Sequence, residues 1–596
     1  MRTVERIEQR GTAALKTLAE LAQALGVTSD ALRPQASDGG ASRGVFQLPA
    51  SLPDFTGRED ELKRITERLQ GSRSVGLSSA LRGMGGVGKT VTAVEACWLV
   101  KDDFPDGQLV VELRGQSEQP LTPMQAMAQV IRDFHPTAGQ LSDDANQLQA
   151  LYRQVLEGKK ALVLLDDARD EAQVRPLVGV PGIAFVITSR SALALDGVAS
   201  IPLGVLPEGE AFALLRGLLG TKGTDDEVKR VAELCGHLPL ALRVAGDFLR
   251  LHDNWPLPKY IGRLRDEAKR LEQLKGKSPD RDVEAVLATS ARELVRENSE
   301  RAERWQLLAV FPSDFDALAA AAVWDLKNGD KLDTDTADDE LTALLDRSLV
   351  QYDADTSRYS LHDLMRPIAR AAFDFVDDHP LQAGSADRIA TAEQRFAVWY
   401  CRVLSAAADL YLKGNDGILQ GLALFDREEA NIRRGQAWAV QHRAANRTAA
   451  ELCRDYPNAG VYVISLRLSA REQIEWLNES LTACREIGDR RGEGAALGTL
   501  GLAWADLGDA RKAIGFYEQR LVIAREIGDR RGEGNASINL ALARHGLGEH
   551  EEAIRLAEHA LAIFNAIESP RAERVRKKLA EWRGEAPGAA TGTTGA

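Results

Sequence analysis

Gly83-Met84-Gly85-Gly86-Val87-Gly88-Lys89-Thr90 is a loop of the form G-x-x-x-x-G-K-T, and the rest of the chain is read outward from it. A partly apolar run, Val75 to Leu81, precedes it as a strand candidate, and Val91 to Val100 follows with apolar residues at helical spacing. Strand, tight loop and helix start form the context in which such a loop cradles phosphate. Glycines let the backbone N–H groups turn inward around a di- or triphosphate, and the positive end of the following helix adds to the attraction. Lys89 is expected to reach the β- and γ-phosphates and the Thr90 hydroxyl to ligate Mg²⁺. The expected nucleotide contacts are Gly83, Gly85, Gly86, Val87, Gly88, Lys89, Thr90 and Val91.

Two buried runs lie downstream. Gln108 to Leu113 is a strand candidate, and helical patterns follow at Met124 to Phe134 and Ala145 to Leu156. Ala161 to Leu165 is continuously apolar and ends in Asp166-Asp167, which suits a parallel strand covered on both faces with acids at its C-terminal end, where α/β sheets place ligands. Asp166 is expected to hold Mg²⁺ through water, and Asp167 to orient an attacking water, so Lys89, Asp166 and Asp167 form the expected catalytic set. Ile183 to Ile187 repeats the apolar pattern and ends in Thr188-Ser189-Arg190; an arginine at that strand end can reach a γ-phosphate.

In this order, FTGRE, GMGGVGKT, LVLLDD and VITSR resemble the NB-ARC family of STAND-type switch ATPases. Cys235-Gly236-His237-Leu238-Pro239-Leu240 resembles that family's G-L-P-L motif, with His237 where glycine is usual. Leu361-His362-Asp363 resembles its M-H-D motif, with leucine for methionine. The resemblance implies that Pro239 packs on adenine, that His362 contacts the β-phosphate of ADP from a winged-helix domain, that Arg190 senses the γ-phosphate, and that Arg58 lies near adenine or ribose. Read alone, Pro239 is a helix-start proline and His362 a core or wing histidine.

A decapeptide, Arg485 to Gly494, recurs as Arg525 to Gly534, a period of 40, with Leu500, Ala513 and Leu521 recurring in register. A helix pair per repeat with small residues at the crossings resembles the longer type of tetratricopeptide repeat, whose groove takes a protein or peptide. At the other end, VERIEQRG and LKTLAELAQALGV resemble part of a phage-repressor-type helix-turn-helix, which makes DNA a possible partner there. The acidic stretch Asp330 to Glu340 lacks the spacing of a calcium loop and reads as a solvated surface loop.

The fold expected is multidomain α/β plus α: a helix-turn-helix-like segment (1–33), a linker (34–52), a P-loop parallel-sheet domain (53–204), a helical bundle (205–275), a winged helix (280–378), an α-solenoid of repeats (390–583) and an unstructured tail (584–596). The net charge of −13 across 596 residues argues against wholesale coating of nucleic acid, and five scattered cysteines without C-x-x-C spacing suit a reduced cytoplasm. No apolar run is long enough to span a bilayer. The resemblance implies a switch that is closed and monomeric with ADP, is opened by a ligand at the repeats, exchanges ADP for ATP, self-associates and resets by slow hydrolysis. The output is open between transcriptional regulation and a defence-type or death-type sensor recruiting an effector. A constitutive P-loop ATPase is the third reading, weakened because no acceptor-substrate domain remains.

Overall fold

Apolar residues at the centre of the chain alternate between two cores, and this alternation defines the sheet. In the computed structural model, which describes residues 45–583 apart from 53–54, 71–73, 80–84, 118, 192, 276–280, 377–380 and 383, six strands run in chain order as β1 (Val45–Phe46), β2 (Ser74–Ser79), β3 (Gly107–Glu112), β4 (Ala161–Ala168), β5 (Ile183–Ser189) and β6 (Val198–Leu203). They pair in the order β1-β3-β4-β5-β2-β6, every pair parallel. Val163, Leu165, Phe185 and Ile187 enter one core with the helices Pro123–Phe134 and Ala145–Leu156; Leu162, Leu164, Ala184 and Val186 enter the other with Glu59–Gln70 and Lys89–Val100. Both faces are therefore covered, which is why these strands read as unbroken apolar runs. Two compact units divide the chain: one runs to Trp399 and includes Arg427–Asn431, the other comprises Tyr400–Asp426 and the chain from Ile432.

Two expectations are corrected and one unforeseen strand is added. Residues 45–52, expected to be linker, are docked: Val45 and Phe46 pair with Gly107 and Gln108 at the sheet edge, the Trp98 indole donates to Pro49 O at 2.7 Å, and Leu48 packs on the second core. A stretch too short to show periodicity is held by a ready-made sheet edge. Strand β6, Val-Ala-Ser-Ile-Pro-Leu, has Ser200 and Pro202 interrupting its apolar residues and was not foreseen; it closes the far edge by pairing with β2 over its whole length. The acidic stretch is mostly helix, Thr334–Leu345, capped by Asp333, and its Glu340 takes Arg301 at 2.7 Å and Arg304 at 3.0 Å. Its acids serve a cap and ion pairs, which a composition reading does not distinguish from solvated charge. The helices expected over 1–33, the first part of the linker, Gly83 and the tail from 584 lie outside the described residues.

Beyond the sheet come the helices Glu208–Leu219, Asp225–Leu234, Pro239–Leu251 and Leu257–Lys275. Within 280–378 stand Arg281–Glu297, Ser299–Leu307, Ala317–Trp324 and Thr334–Leu345, then an antiparallel hairpin pairing Gln351–Asp353 with Arg358–Ser360, and the short helix Met365–Arg370. No helix among the described residues is long and apolar enough to cross a membrane.

The second unit is built of helices, and from Ala470 they form a repeating array: Ala470–Ile487, Arg490–Asp506, Ala510–Glu526, Arg530–Gly546, His550–Ala566 and Arg571–Arg583. The recurring decapeptide has a local cause. Asp489 and Asp529 cap their helices by accepting from Gly492 N and Gly532 N at 2.8 and 2.9 Å, and the buried Glu493 and Glu533 take Arg485 and Arg525 at 2.8 and 2.9 Å. Each copy thus starts one helix and ties it to the helix before.

Removing the cap at Asp529→Ala is expected to lower the stability of the array by about 1 kcal/mol, with Asp529→Asn nearly neutral. Urea unfolding followed by circular dichroism checks this; equal midpoints for wild type and Asp529→Ala would show that the cap contributes nothing.

Candidate functional site

The loop leads from β2 into the helix Lys89–Val100 by way of two left-handed residues, Gly86 (φ 73°) and Gly88 (φ 89°), a backbone state that disfavours side chains. Segments distant in sequence approach its backbone closely. A Cβ at Gly85 would stand 2.8 Å from Leu364, and one at Gly86 would stand 3.1 Å from Leu240. Leu240 N donates to Gly86 O at 3.3 Å, and Pro239, first residue of the helix Pro239–Leu251, lies beside Gly88. The structure therefore brings the Pro239-Leu240 and His362-Leu364 segments to one face of the loop.

Under the loop, Asp166 is gripped by two hydroxyls. Thr90 Oγ1 donates to it at 2.9 Å and Thr188 Oγ1 at 2.6 Å. The Thr188 hydroxyl also accepts from Asp167 N at 2.8 Å, which fixes the turn at the end of β4, where Asp167 is left-handed (φ 52°). Asp167 Oδ2 accepts from Gln116 N at 3.1 Å. Burial raises the pKa of Asp166, with Asp167 and Asp363 adding to the rise and the two threonine hydroxyls opposing it. Asp167 is raised for the same chief reason, against Gln116, Arg190 and Lys89.

Arg190, at the end of β5, meets Asp363 at 3.5 Å. His362 is partly exposed, and Leu364 N donates to its Nδ1 at 3.2 Å, so the neutral ring carries its proton on Nε2. Although the residue is not fully covered, desolvation of its ring by the surrounding protein brings its pKa down from 6.5 to about 4; Arg190, Lys89 and Arg366 reinforce the fall and Asp363 resists it. His362 is thus a neutral donor at pH 7. Arg58 is 3% exposed, with its guanidinium on backbone carbonyls: Nη2 donates to Val87 O at 3.1 Å and to Gly204 O at 2.5 Å. Its place is that of a brace on the loop. His237 has φ 52°, the left-handed conformation that explains why glycine suits this position, and its Nε2 is buried without a hydrogen-bond partner among the described residues.

Sequence reasoning missed three participants. Thr188 stands two residues before Arg190 and is marked only by being a threonine at a strand end beside the acids. Glu112, at the end of β3, is in register with Asp166 and keeps part of its surface exposed; desolvation by the surrounding protein, then repulsion from Asp314 and Asp166, raises its pKa to about 7. Leu364 carries no chemical signal, and only its contact with Gly85 reveals it.

Residues 58–214 match the NB-ARC domain family and residues 505–566 the tetratricopeptide repeat family. Regulatory protein AfsR of Streptomyces coelicolor is 35% identical over 398 residues, covering 64% of this chain and 38% of that protein. Its counterpart in Streptomyces griseus is 35% identical over 343 residues, covering 56% of this chain and 34% of that protein. The chain therefore spans little more than a third of the length of these curated relatives. A solved Signal Transduction ATPase with Numerous Domains from Pyrococcus horikoshii, described as having a tetratricopeptide repeat sensor, aligns at 16% identity and TM-score 0.35 over 90% of this chain and 86% of that one.

Thr188→Val takes the closest donor from Asp166 and is expected to weaken magnesium-dependent nucleotide binding about tenfold, with Thr188→Ser retaining it. Calorimetric titration with and without Mg²⁺ tests this; unaltered affinity in Thr188→Val would remove Thr188 from the site. A pH dependence follows from His362. Its folded pKa of about 4 lies below the ordinary 6.5, so the stability it contributes is present above about pH 6.5 and is lost as pH falls through about 4. The raised Asp166 and Asp167 act in the opposite sense, contributing less as pH rises. The wild-type melting temperature is therefore expected to fall more steeply than that of His362→Gln between pH 6.5 and pH 4, and parallel curves would contradict the assignment.

Proposed function

Proceeding from a chain in which an NB-ARC domain is followed by tetratricopeptide repeats, we propose that the protein is an ATP/ADP-operated signalling switch whose resting form holds ADP. The observation that carries this reading is the convergence on one loop: Leu240 and Leu364 touch Gly86 and Gly85, and Asp363 of the second segment pairs with Arg190. Residues far along the chain thus press on the expected nucleotide site, so that its occupancy and their position are energetically linked.

The residues present fit a magnesium-bound nucleotide. Gly86 and Gly88 form a backbone cradle that no other residue adopts easily, and the Thr90 hydroxyl and Asp166 carboxylate face each other at 2.9 Å. Thr90 and Asp166 would hold Mg²⁺, which supplies positive charge among the phosphate oxygens. Lys89 adds a fixed cation at the start of its helix. The neutral His362 offers an N–H donor to a phosphate oxygen, and Pro239 beside Gly88 suits a contact with the base. Arg190 has a carboxylate, Asp363, in reach; a γ-phosphate competes for the same guanidinium, which loosens the Asp363 segment when ATP replaces ADP. Release of that segment is the opening step, and self-association follows from the surfaces it uncovers. Hydrolysis acts as a slow reset. Regulation of transcription is the output favoured, because the two relatives that are 35% identical over more than half of the chain are regulatory proteins by name, whereas the disease resistance proteins of Arabidopsis thaliana that it also resembles are 27% and 24% identical.

Denaturing the purified protein and identifying the released nucleotide by ion exchange is expected to give about one ADP per chain. An empty site, or rapid turnover of ATP without any ligand, would contradict a resting switch. Lys89→Ala is expected to abolish retention. His362→Ala is expected to retain less ADP and to shift toward oligomer in ATP on a sizing column; a monomeric, ADP-loaded His362→Ala protein would refute the lever.

A further inference from the structure

Each copy of the repeated decapeptide carries two adjacent arginines, and they behave differently. Arg490 and Arg530 turn to the buried Glu493 and Glu533. Arg491 and Arg531 are exposed, and among the described residues they make no ion pair. The same register returns 40 residues after Arg531 at Arg571, the first residue of the helix Arg571–Arg583. Arg571 donates to Asn535 Oδ1, one turn along from Arg531, and among the described residues meets no carboxylate. Burial is the first cause of its lowered pKa, and Arg531 and Arg574 crowd it further. Arg571 in turn acts against Arg520 of the helix Ala510–Glu526, which donates to Gly494 O at 2.5 Å and is chiefly compensated by Asp529. Elsewhere in the array Arg525, Arg544 and Arg555 all have glutamate partners. Arg491, Arg531 and Arg571, recurring in one register, therefore stand without an ion pair among the described residues, in a chain of net charge −13.

The same helix faces carry a second feature. Leu502 and Leu542 are 48% and 45% exposed, and each stands eleven residues beyond Arg491 or Arg531 (502 − 491; 542 − 531), a spacing that returns to the same side of a helix. Two neighbouring helices thus present arginine at one end and leucine at the other.

We propose that the face bearing Arg531, Asn535 and Arg571, continued by Leu502 and Leu542, docks an acidic, leucine-bearing peptide segment of a partner protein. Carboxylates of the segment meet the arginines, where guanidinium groups form paired, charge-assisted hydrogen bonds, and its apolar side chains cover the leucines. A nucleic acid backbone would satisfy the arginines but leave the leucine row without a complement. The proposal rests on the reading of the repeats as the ligand-receiving part of the switch.

Full-length protein is titrated, by fluorescence anisotropy, into two labelled peptides with leucines at identical positions, one otherwise rich in glutamate and the other in lysine, and into a labelled single-stranded oligonucleotide. The glutamate peptide is expected to bind, to weaken as salt rises, and to lose at least about tenfold in affinity to Arg531→Gln/Arg571→Gln, with Arg531→Lys/Arg571→Lys intermediate and Arg511→Gln unaffected. Leu542→Ser is expected to weaken the glutamate peptide as well. Equal binding of both peptides, full affinity in the double glutamine variant with an unaltered melting curve, or binding of the oligonucleotide alone would overturn the proposal. Bound nucleotide is measured in the wild-type sample: wild-type protein that holds ADP but does not bind the glutamate peptide rejects this surface and leaves the switch standing, and wild-type protein that binds the peptide but holds no ADP rejects the switch alone.

Discussion

The constraint on which the rest of the first unit depends is the close approach of two leucines to the backbone of the loop at 85–88. Leu240 and Leu364 reach distances at which a Cβ on Gly86 or Gly85 would force them aside, and the left-handed turn at Gly86 and Gly88 shapes the loop for that approach. Arg58 holds the other side through Val87 O and Gly204 O. Because these contacts are to backbone, a small displacement of the loop is felt at once by the helix starting at Pro239 and by the segment around His362. Well-packed contacts of this kind resist gradual deformation and favour discrete arrangements.

Electrostatics at the strand ends has the same character. Burial first, and repulsion from neighbouring carboxylates second, raise the pKa values of Glu112, Asp166 and Asp167. Lys89, Arg190 and the two threonine hydroxyls offset part of this. A site with more carboxylate than nearby cation suits a ligand that arrives with a metal ion, and it has a physical reason to rearrange when phosphate charge changes. The Arg190–Asp363 pair is the contact most exposed to such competition, since its 3.5 Å separation leaves room for a stronger partner.

The array from Ala470 follows a different rule. Its stability is built from repeated local devices, an aspartate cap and a buried glutamate in each decapeptide, so that neighbouring helix pairs hold one another as in other linear arrays. That economy leaves the second arginine of each copy unused by the fold. A side chain not needed for stability, recurring in register beside an exposed leucine, is available for recognition.

Much of this was legible in the chain alone. Continuous apolar runs ending in Asp166-Asp167 and Thr188-Ser189-Arg190 revealed the parallel strands, because burial on both faces removes the usual alternation, and the glycine loop located the cradle because few residues tolerate its conformation. The period of 40 disclosed the repeats, since each helix pair must meet its neighbour in the same way. Tertiary structure alone decided the rest. It bound Asp166 to Thr188, paired Arg190 with Asp363, set Leu364 against Gly85 and placed Val45–Phe46 on the edge of β3. Periodicity and motifs encode which residues are buried and which conformations the backbone can reach; which partner a polar side chain takes depends on distances between segments scores of residues apart, and those exist only once the chain has folded.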